Sequence, residues 1–281
     1  MAKNYQTTEE AADGLALLVT HRAILLNAAT AWIQEGMQDQ KRLALANRRI
    51  LATLTQHLDP LENLEEVDLP LSPNQALEAG VISGFMSVFM MLHSIRECEF
   101  YFRRYPFGNV KISRSDYLRN CCEMLFDRIA QMRDRLKILL NSIQKSVPNK
   151  KIPVGQIIKI FSRAFVGPIK IRNHVHHHDR YSDEDISQLS MANLLEMADL
   201  YTLSSGAKEP PHTSLKLLLN QKTLYQRAAK KWISRINSYE ESAEFFVELV
   251  AQIILDECDF VRRYISEGDL ERLATCKRFK L

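Results

Sequence analysis

The sequence predicts an all-α protein, and three observations carry that prediction. Glycine and proline are scarce, nine of each in 281 residues, so long stretches run without helix breakers. Apolar residues recur at spacings of three and four along most of the chain. No run alternates apolar and polar residues with the period of a strand. The expected architecture is an up-and-down helical bundle. Its core spans 73–205, N-terminal helices over 1–72 pack on that core, and a long-helix extension occupies 206–281. A single domain embracing all three stretches is the alternative.

The elements follow in order. Leu15, Leu18, Val19, Ala23, Leu26, Ala29 and Ile33 form a helical stripe. It bends or breaks near Gly36 and resumes through Leu43, Ala46, Ile50, Leu51 and Leu54. Ser72-Pro73 is a helix start, a capping residue followed by proline at the first helical position. That helix continues to about Arg104 and is expected to be central, because Val81 to Leu92 is almost wholly apolar. A third helix runs from about Ser115 to Lys145, and a fourth segment begins near Pro153. Gly167-Pro168 interrupts it. Ser182-Asp183-Glu184-Asp185 caps a helix reaching about Leu203, with acids that suit its positive end. Ser204 to Pro211 reads as a linker. A last long pattern covers Thr213 to Tyr264, with a break expected near Asn237-Ser238.

Composition excludes several classes. The formal net charge of +3 does not announce a nucleic-acid binder, so any basic surface must come from local clustering. The five cysteines, Cys98, Cys121, Cys122, Cys258 and Cys276, show no Cys-x-x-Cys spacing and read as reduced, mostly buried thiols. Met1 to Glu10 is polar and lacks an apolar signal core. No apolar run is long enough, free of charge, to suggest a membrane span. A cytoplasmic location is expected. One echo, Glu97-Cys98-Glu99-Phe100 and Glu257-Cys258-Asp259-Phe260, each leading to Arg-Arg-Tyr, reads as apolar helix faces ending in basic residues rather than as a duplicated bundle.

The chemistry gathers in Ile171-Arg172-Asn173-His174-Val175-His176-His177-His178-Asp179, which holds four of the eight histidines. Histidine exchanges protons near neutral pH, and arginine grips phosphate in a fixed fork. RNA carries a 2′-hydroxyl beside each phosphate. A base that removes its proton lets the oxygen attack that phosphate without a metal. His177 fits the base. Arg172 fits the group that holds the phosphate oxygens. Asn173 can orient the histidine or donate to the phosphate. His176 and His178 are supporting candidates.

Arg172-Asn173-x-x-x-His177 resembles the Arg-x(4–6)-His signature of the HEPN superfamily, small α-helical proteins of which many are metal-independent ribonucleases. The resemblance covers about Pro73 to Leu203 and implies a HEPN-like core. It also implies a metal-independent endoribonuclease of toxin or phage-defence type, a homodimer that brings two motifs into one cleft, and no cofactor. An antitoxin or regulatory protein is the further partner such a role implies. Many toxin members place a tyrosine two residues after the motif histidine. Here Asp179 stands there and Tyr181 comes two residues later.

Helical geometry constrains the pair. Residues five apart are about 140° apart on a regular helix, so Arg172 and His177 do not share a face, and Arg172 lies closer to His176. Either a helix begins within the run or the groups meet another way. Three alternatives stand beside the nuclease. The run can be a solvated helix end. His174 with His177 or His178, joined by Asp179 or Asp183, can form a zinc site. Or the chain is a non-catalytic module that binds RNA or protein. Basic residues near aromatics, Arg103 and Arg104 near Tyr105, and Lys230 and Lys231 beside Trp232, are candidate RNA contacts with Lys170. Glu97 and Glu99 are candidate partners of Arg172, with surface ion pairs to nearby arginines the favoured alternative.

Overall fold

The computed structural model describes residues 20–37, 72–107, 112–177, 179–206, 220–276, 278 and 279, except the side chains of His176 and His177. The expected helices before Thr20 and over 43–54 lie outside the described residues. Among those described, all regular structure is helical. The helices are α1 (His21–Met37), α2 (Pro73–Arg103), α3 (Arg114–Ser146), α4 (Val154–Ala164), α5 (Val166–His177), α6 (Glu184–Ser204), α7 (Gln221–Glu257), α8 (Asp259–Arg262) and α9 (Glu267–Thr275).

Local chemistry sets their starts. At α2 the Gln75 amide donates to Ser72 Oγ at 3.3 Å while the Ser72 amide donates to Gln75 Oε1 at 3.2 Å, a reciprocal cap. Asp183 caps α6 by accepting from the Ile186 amide at 2.9 Å. The break between α4 and α5 falls at Phe165 because Pro168 has no N–H for the Ala164 carbonyl and its ring crowds that oxygen. Within the first turn of α5 the missing donor costs nothing further. The break expected near Asn237-Ser238 does not occur. Buried Ile236, Ala243, Phe246 and Val250 keep the stripe continuous, and α7 ends at Glu257 instead. The two echoed segments therefore differ, since Cys98 is inside α2 whereas Cys258 sits in extended backbone ahead of α8.

Contacts divide the chain into two compact units. The first comprises Met1–Phe85, Ile138–Pro153 and Val247–Leu281; the second comprises Met86–Lys137 and Val154–Phe246. Neither is one continuous stretch, and α2, α3 and α7 contribute residues to both.

In the first unit α1 packs on α8 and α9 through buried Ile24, Leu25, Ala28 and Ala29. Glu78 accepts from Trp32 Nε1 at 3.1 Å and pairs with Arg263 at 2.9 Å. Gly84 lets α3 come close. A Cβ there would meet Leu139 Cδ1 at 3.1 Å. His21 is buried, which pushes its imidazole below the ordinary value of 6.5. Asp256 opposes that shift and Arg278 reinforces it.

In the second unit the pairings give the topology. Arg135 Nη1 donates to Ser87 Oγ at 2.8 Å, Arg128 Nη1 donates to the Ser94 carbonyl, and Tyr117 Oη donates to the Tyr101 carbonyl at 3.0 Å. Numbers rise on α2 as they fall on α3, so these helices are antiparallel. Arg96 pairs with Glu240 and Glu244, and Tyr225 Oη donates to the Phe102 carbonyl at 3.2 Å, which sets α7 antiparallel to α2. Down α7, Phe246 meets Phe161, Tyr239 meets Phe165, Lys231 meets Asp185 and Arg227 meets Gln188. Thus α4, α5 and α6 form one broken column antiparallel to α7. The bundle is up-down-up-down, and the chain keeps its direction through the Arg-Asn-His run. At the centre Trp232 lies 5.8 Å from Phe102, 5.8 Å from Phe126 and 6.0 Å from Tyr181, ring centre to ring centre.

Cys98, Cys121, Cys122 and Cys258 are free thiols and buried. Burial raises the Cys98 and Cys121 thiols to about 11. Among the described residues one helix, α2, is long and apolar enough to cross a membrane by length and composition. It also carries a buried stripe, including Val81, Phe85, Val88, Leu92, Ile95 and Phe102, as a core helix does.

Two outcomes follow. Trp232 is 1% exposed and its indole N–H has no partner among the described residues. Trp232→Ala lowers the unfolding free energy by about 3–5 kcal/mol. Trp232→Phe costs less than half as much, because it removes an unsatisfied donor along with the volume; urea unfolding reads both. His21 contributes fully above pH 6.5, where it is neutral folded and unfolded alike. Below that the unfolded chain takes the proton first, and stability falls until the folded imidazole protonates too. The urea midpoint therefore drops on acidification from pH 7, and His21→Gln shows a shallower drop.

Candidate functional site

The run Arg172 to His177 forms the closing turns of α5. A helix does not begin within it, so that route to bringing Arg172 and His177 together is closed. On continuous helical backbone the two residues stand about 140° apart. The helix C-terminus carries unsatisfied carbonyls and a partial negative charge, which suits a cluster of cationic side chains.

Arg172 is partly exposed, and its Nε donates to Asp127 Oδ1 of α3 at 3.2 Å. Asn173 and His174 are exposed. His178, and the His176 and His177 side chains, lie outside the described residues. Lys170 is exposed one turn before Asn173 and His174, on the same face by spacing. Residues 154–177 contain Lys159, Arg163, Lys170 and Arg172 and no aspartate or glutamate. Lys159 and Arg163 are exposed as well, so α4 and α5 present positive charge without internal neutralisation.

The chain leaving α5 is tied down by α3. Arg180 Nη2 donates to Glu123 Oε2 at 3.1 Å and also to Asn120 Oδ1. The Tyr181 amide donates to Glu123 Oε1 at 3.0 Å, and Arg119 Nε donates to the Tyr181 carbonyl at 2.9 Å. The Tyr181 ring lies 5.1 Å from Phe126, edge on, and its hydroxyl donates to Asp183 Oδ2 at 3.1 Å. Burial, reinforced by the Asp183 carboxylate, pushes that phenol well above its ordinary range. Tyr181 is thus an anchor that stays protonated.

The other expected contacts are dispersed. Arg103 pairs with Glu99 within α2, Arg104 is exposed at the helix end, Lys230 is exposed on α7, and Lys231 pairs with buried Asp185 at 2.7 Å. Among the described residues no hydrogen bond, ion pair or ring contact links these four to the run. Neither Glu97 nor Glu99 serves Arg172; each pairs with a nearby arginine, the favoured alternative. Glu97 approaches Arg128 at 3.9 Å, and Asp127 takes the motif arginine. Asp127 and Glu123 were recoverable from sequence as an i, i+4 acidic pair on the helix preceding a basic run.

No group of three or more His, Cys, Asp or Glu side chains placed to hold a metal ion occurs among the described residues. Asp183, a candidate zinc ligand by sequence, is engaged as the α6 cap. A pocket of about 270 Å³ in the first unit is lined by Asn74, Leu77, Glu78, Ser146, Cys258 and Phe260 among others, and by none of the expected site residues.

No family model matches the chain, and no curated protein or solved structure matches it.

The Arg172–Asp127 pair is open to solvent on both sides. Arg172→Ala and Asp127→Ala should each change stability by less than about 1 kcal/mol. Thermal unfolding of both variants and of the double variant checks this.

Proposed function

We propose that this chain is a HEPN-like, metal-independent endoribonuclease of toxin or phage-defence type, acting in the cytoplasm as a homodimer and needing no cofactor. The observation that carries the reading is the position of Arg172 and Asn173. Both have accessible surface near the end of α5, and α4 and α5 together carry cations and no acid. RNA is the substrate class that matches a basic surface with histidines beside it in the sequence.

In this reading His177 removes the proton from a 2′-hydroxyl. The oxygen attacks the adjacent phosphorus, and the 5′-oxygen of the next nucleotide leaves and takes a proton. The products are a cyclic phosphate and a free 5′-hydroxyl. Arg172 exchanges Asp127 for phosphate oxygens. The exchange is affordable because an exposed ion pair is weak, while a guanidinium grips phosphate through two parallel bonds. Asn173 adds a donor, and Lys170 holds the strand one turn earlier. Arg103, Arg104, Lys230 and Lys231 guide the flanking backbone, and His176 and His178 stand in reserve as proton carriers. The 140° separation fits a site in which the arginine and histidine come from different copies. An antitoxin or regulator of such an enzyme would cover the run.

The Arg172–Asp127 bond also supports a second reading, in which the arginine ties α5 to α3 in a non-catalytic module that binds RNA or protein.

Purified protein incubated with varied RNAs in EDTA decides between the two. The nuclease reading expects cleavage, and His177→Ala lowers the rate by about 10²-fold or more with an unchanged circular dichroism spectrum. Arg172→Ala weakens both binding and rate. Folded protein that binds RNA without cutting it leaves the binding module. Cleavage restored only by zinc overturns the metal-independent mechanism.

A further inference from the structure

α4 and α5 present one continuous outward face. The break between them falls at Phe165, yet the Phe165 amide donates to the Phe161 carbonyl and the Ile169 amide to the Phe165 carbonyl, both at 3.0 Å. The helical phase therefore carries from one helix into the next. Ile157, Phe161, Phe165 and Ile169 are buried along the inner side. At about 100° per residue, Lys159, Arg163 and Lys170 fall within about 40° of one another on the opposite side. All three are exposed.

This row lacks counter-charges. Among the described residues no ion pair or hydrogen bond engages the Lys159, Arg163 or Lys170 side chain. The acids of the neighbouring helices are placed elsewhere. On α7, Glu240 and Glu244 hold Arg96, and Glu241 stands about 160° around that helix from Tyr239, which meets Phe165. On α3, Asp127 holds Arg172 and Glu123 holds Arg180. Three like charges in one row repel one another, and a partner with regularly spaced negative charge relieves that repulsion.

We infer that Lys159, Arg163 and Lys170 form a phosphate track, which holds a single RNA strand along α4 and α5 and leads it to the histidine side of α5. From Lys159 to Lys170 the track covers about 16 Å of helix, roughly five stacked nucleotides at about 3.4 Å each. By spacing the position of His177 continues the row, whereas Arg172 stands about 160° from Lys170. A row one residue wide on a convex helix follows one backbone, not the two of a duplex. The inner sides of both helices are spent on the bundle core. Among the described residues Val166 is the one large apolar residue they leave exposed, too little to insert into a membrane. Phosphate contacts carry no sequence information, so the track accepts any sequence. The inference rests on the RNA substrate class of the nuclease reading, not on its cleavage step.

Fluorescence anisotropy of the full chain with a 2′-O-methyl RNA of about twelve nucleotides, longer than the track, tests it. That strand lacks the attacking hydroxyl, so it reports binding whether or not the chain cleaves RNA. Over about 50–200 mM KCl the logarithm of the association constant falls with the logarithm of salt, by about 0.7 for each phosphate contact to a single strand. The double variant Lys159→Ala, Arg163→Ala should make the slope shallower by about 1.4 and weaken binding about tenfold at the lowest salt, with an unchanged melting temperature. A folded double variant with the wild-type slope and affinity overturns the inference. So does equal binding of a duplex of the same sequence, or a wild type that binds vesicles of anionic phospholipid but not the strand. Should the double variant unfold, lysine acetylation of the wild type read by mass spectrometry serves instead. Protection of Lys159 and Lys170 by the strand supports the track, and equal labelling with and without it overturns it. A chain that binds through the row but leaves unmodified RNA uncut sinks the nuclease reading alone. A double variant that binds and cuts like the wild type sinks the track alone.

Discussion

The burial of Trp232 against Phe102, Phe126 and Tyr181 is the constraint on which the second unit depends. These four rings come from α7, α2, α3 and the connection between α5 and α6, so one apolar cluster joins every column of the bundle. Aromatic side chains of this size dominate core energetics. The polar bonds around Tyr181 then fix what the ring alone would leave loose. Its amide, carbonyl and hydroxyl are all engaged. The exit of α5 is therefore set by the core, and the closing turns of that helix, with Arg172 and Asn173, are held at the surface.

Electrostatics divides the labour between helices. α4 and α5 carry cations without acids, and α3 supplies Glu123 and Asp127 to secure Arg180 and Arg172. Placing the compensating carboxylates on a neighbouring helix keeps α4 and α5 free of acids while limiting their self-repulsion. It also leaves the motif arginine with a replaceable partner in water. A fully buried pair would have locked that arginine away.

Much of the fold was legible because helix ends are written in local chemistry. Ser72-Pro73 and Asp183 gave starts that the structure keeps, and Pro168 marked an interruption. The continuation of α7 through Asn237-Ser238 was not legible. Two polar residues read as a break locally, whereas the buried residues on either side decide the outcome. The site was legible as a composition of groups, not as a geometry. Sequence favoured nearby arginines for Glu97 and Glu99, as the structure has them, but it did not offer Asp127 to Arg172, because helix pairing and register cannot be read from spacing. The exposure of Met191, Leu194, Met197 and Tyr201 on α6 escaped notice for a similar reason. Apolar residues on both faces of a helix do not reveal which face the bundle covers.

Hydrogen exchange on a Tyr181→Ala variant tests the central claim most directly, because it removes the anchor without touching the motif. The account predicts that amides of 166–177 and of the first turns of α6 lose protection, while those of α3 and α7 away from the cluster keep theirs. Unchanged protection across 166–177 would contradict it, since the closing turns of α5 would then be held by something other than the aromatic core and its ties to Tyr181.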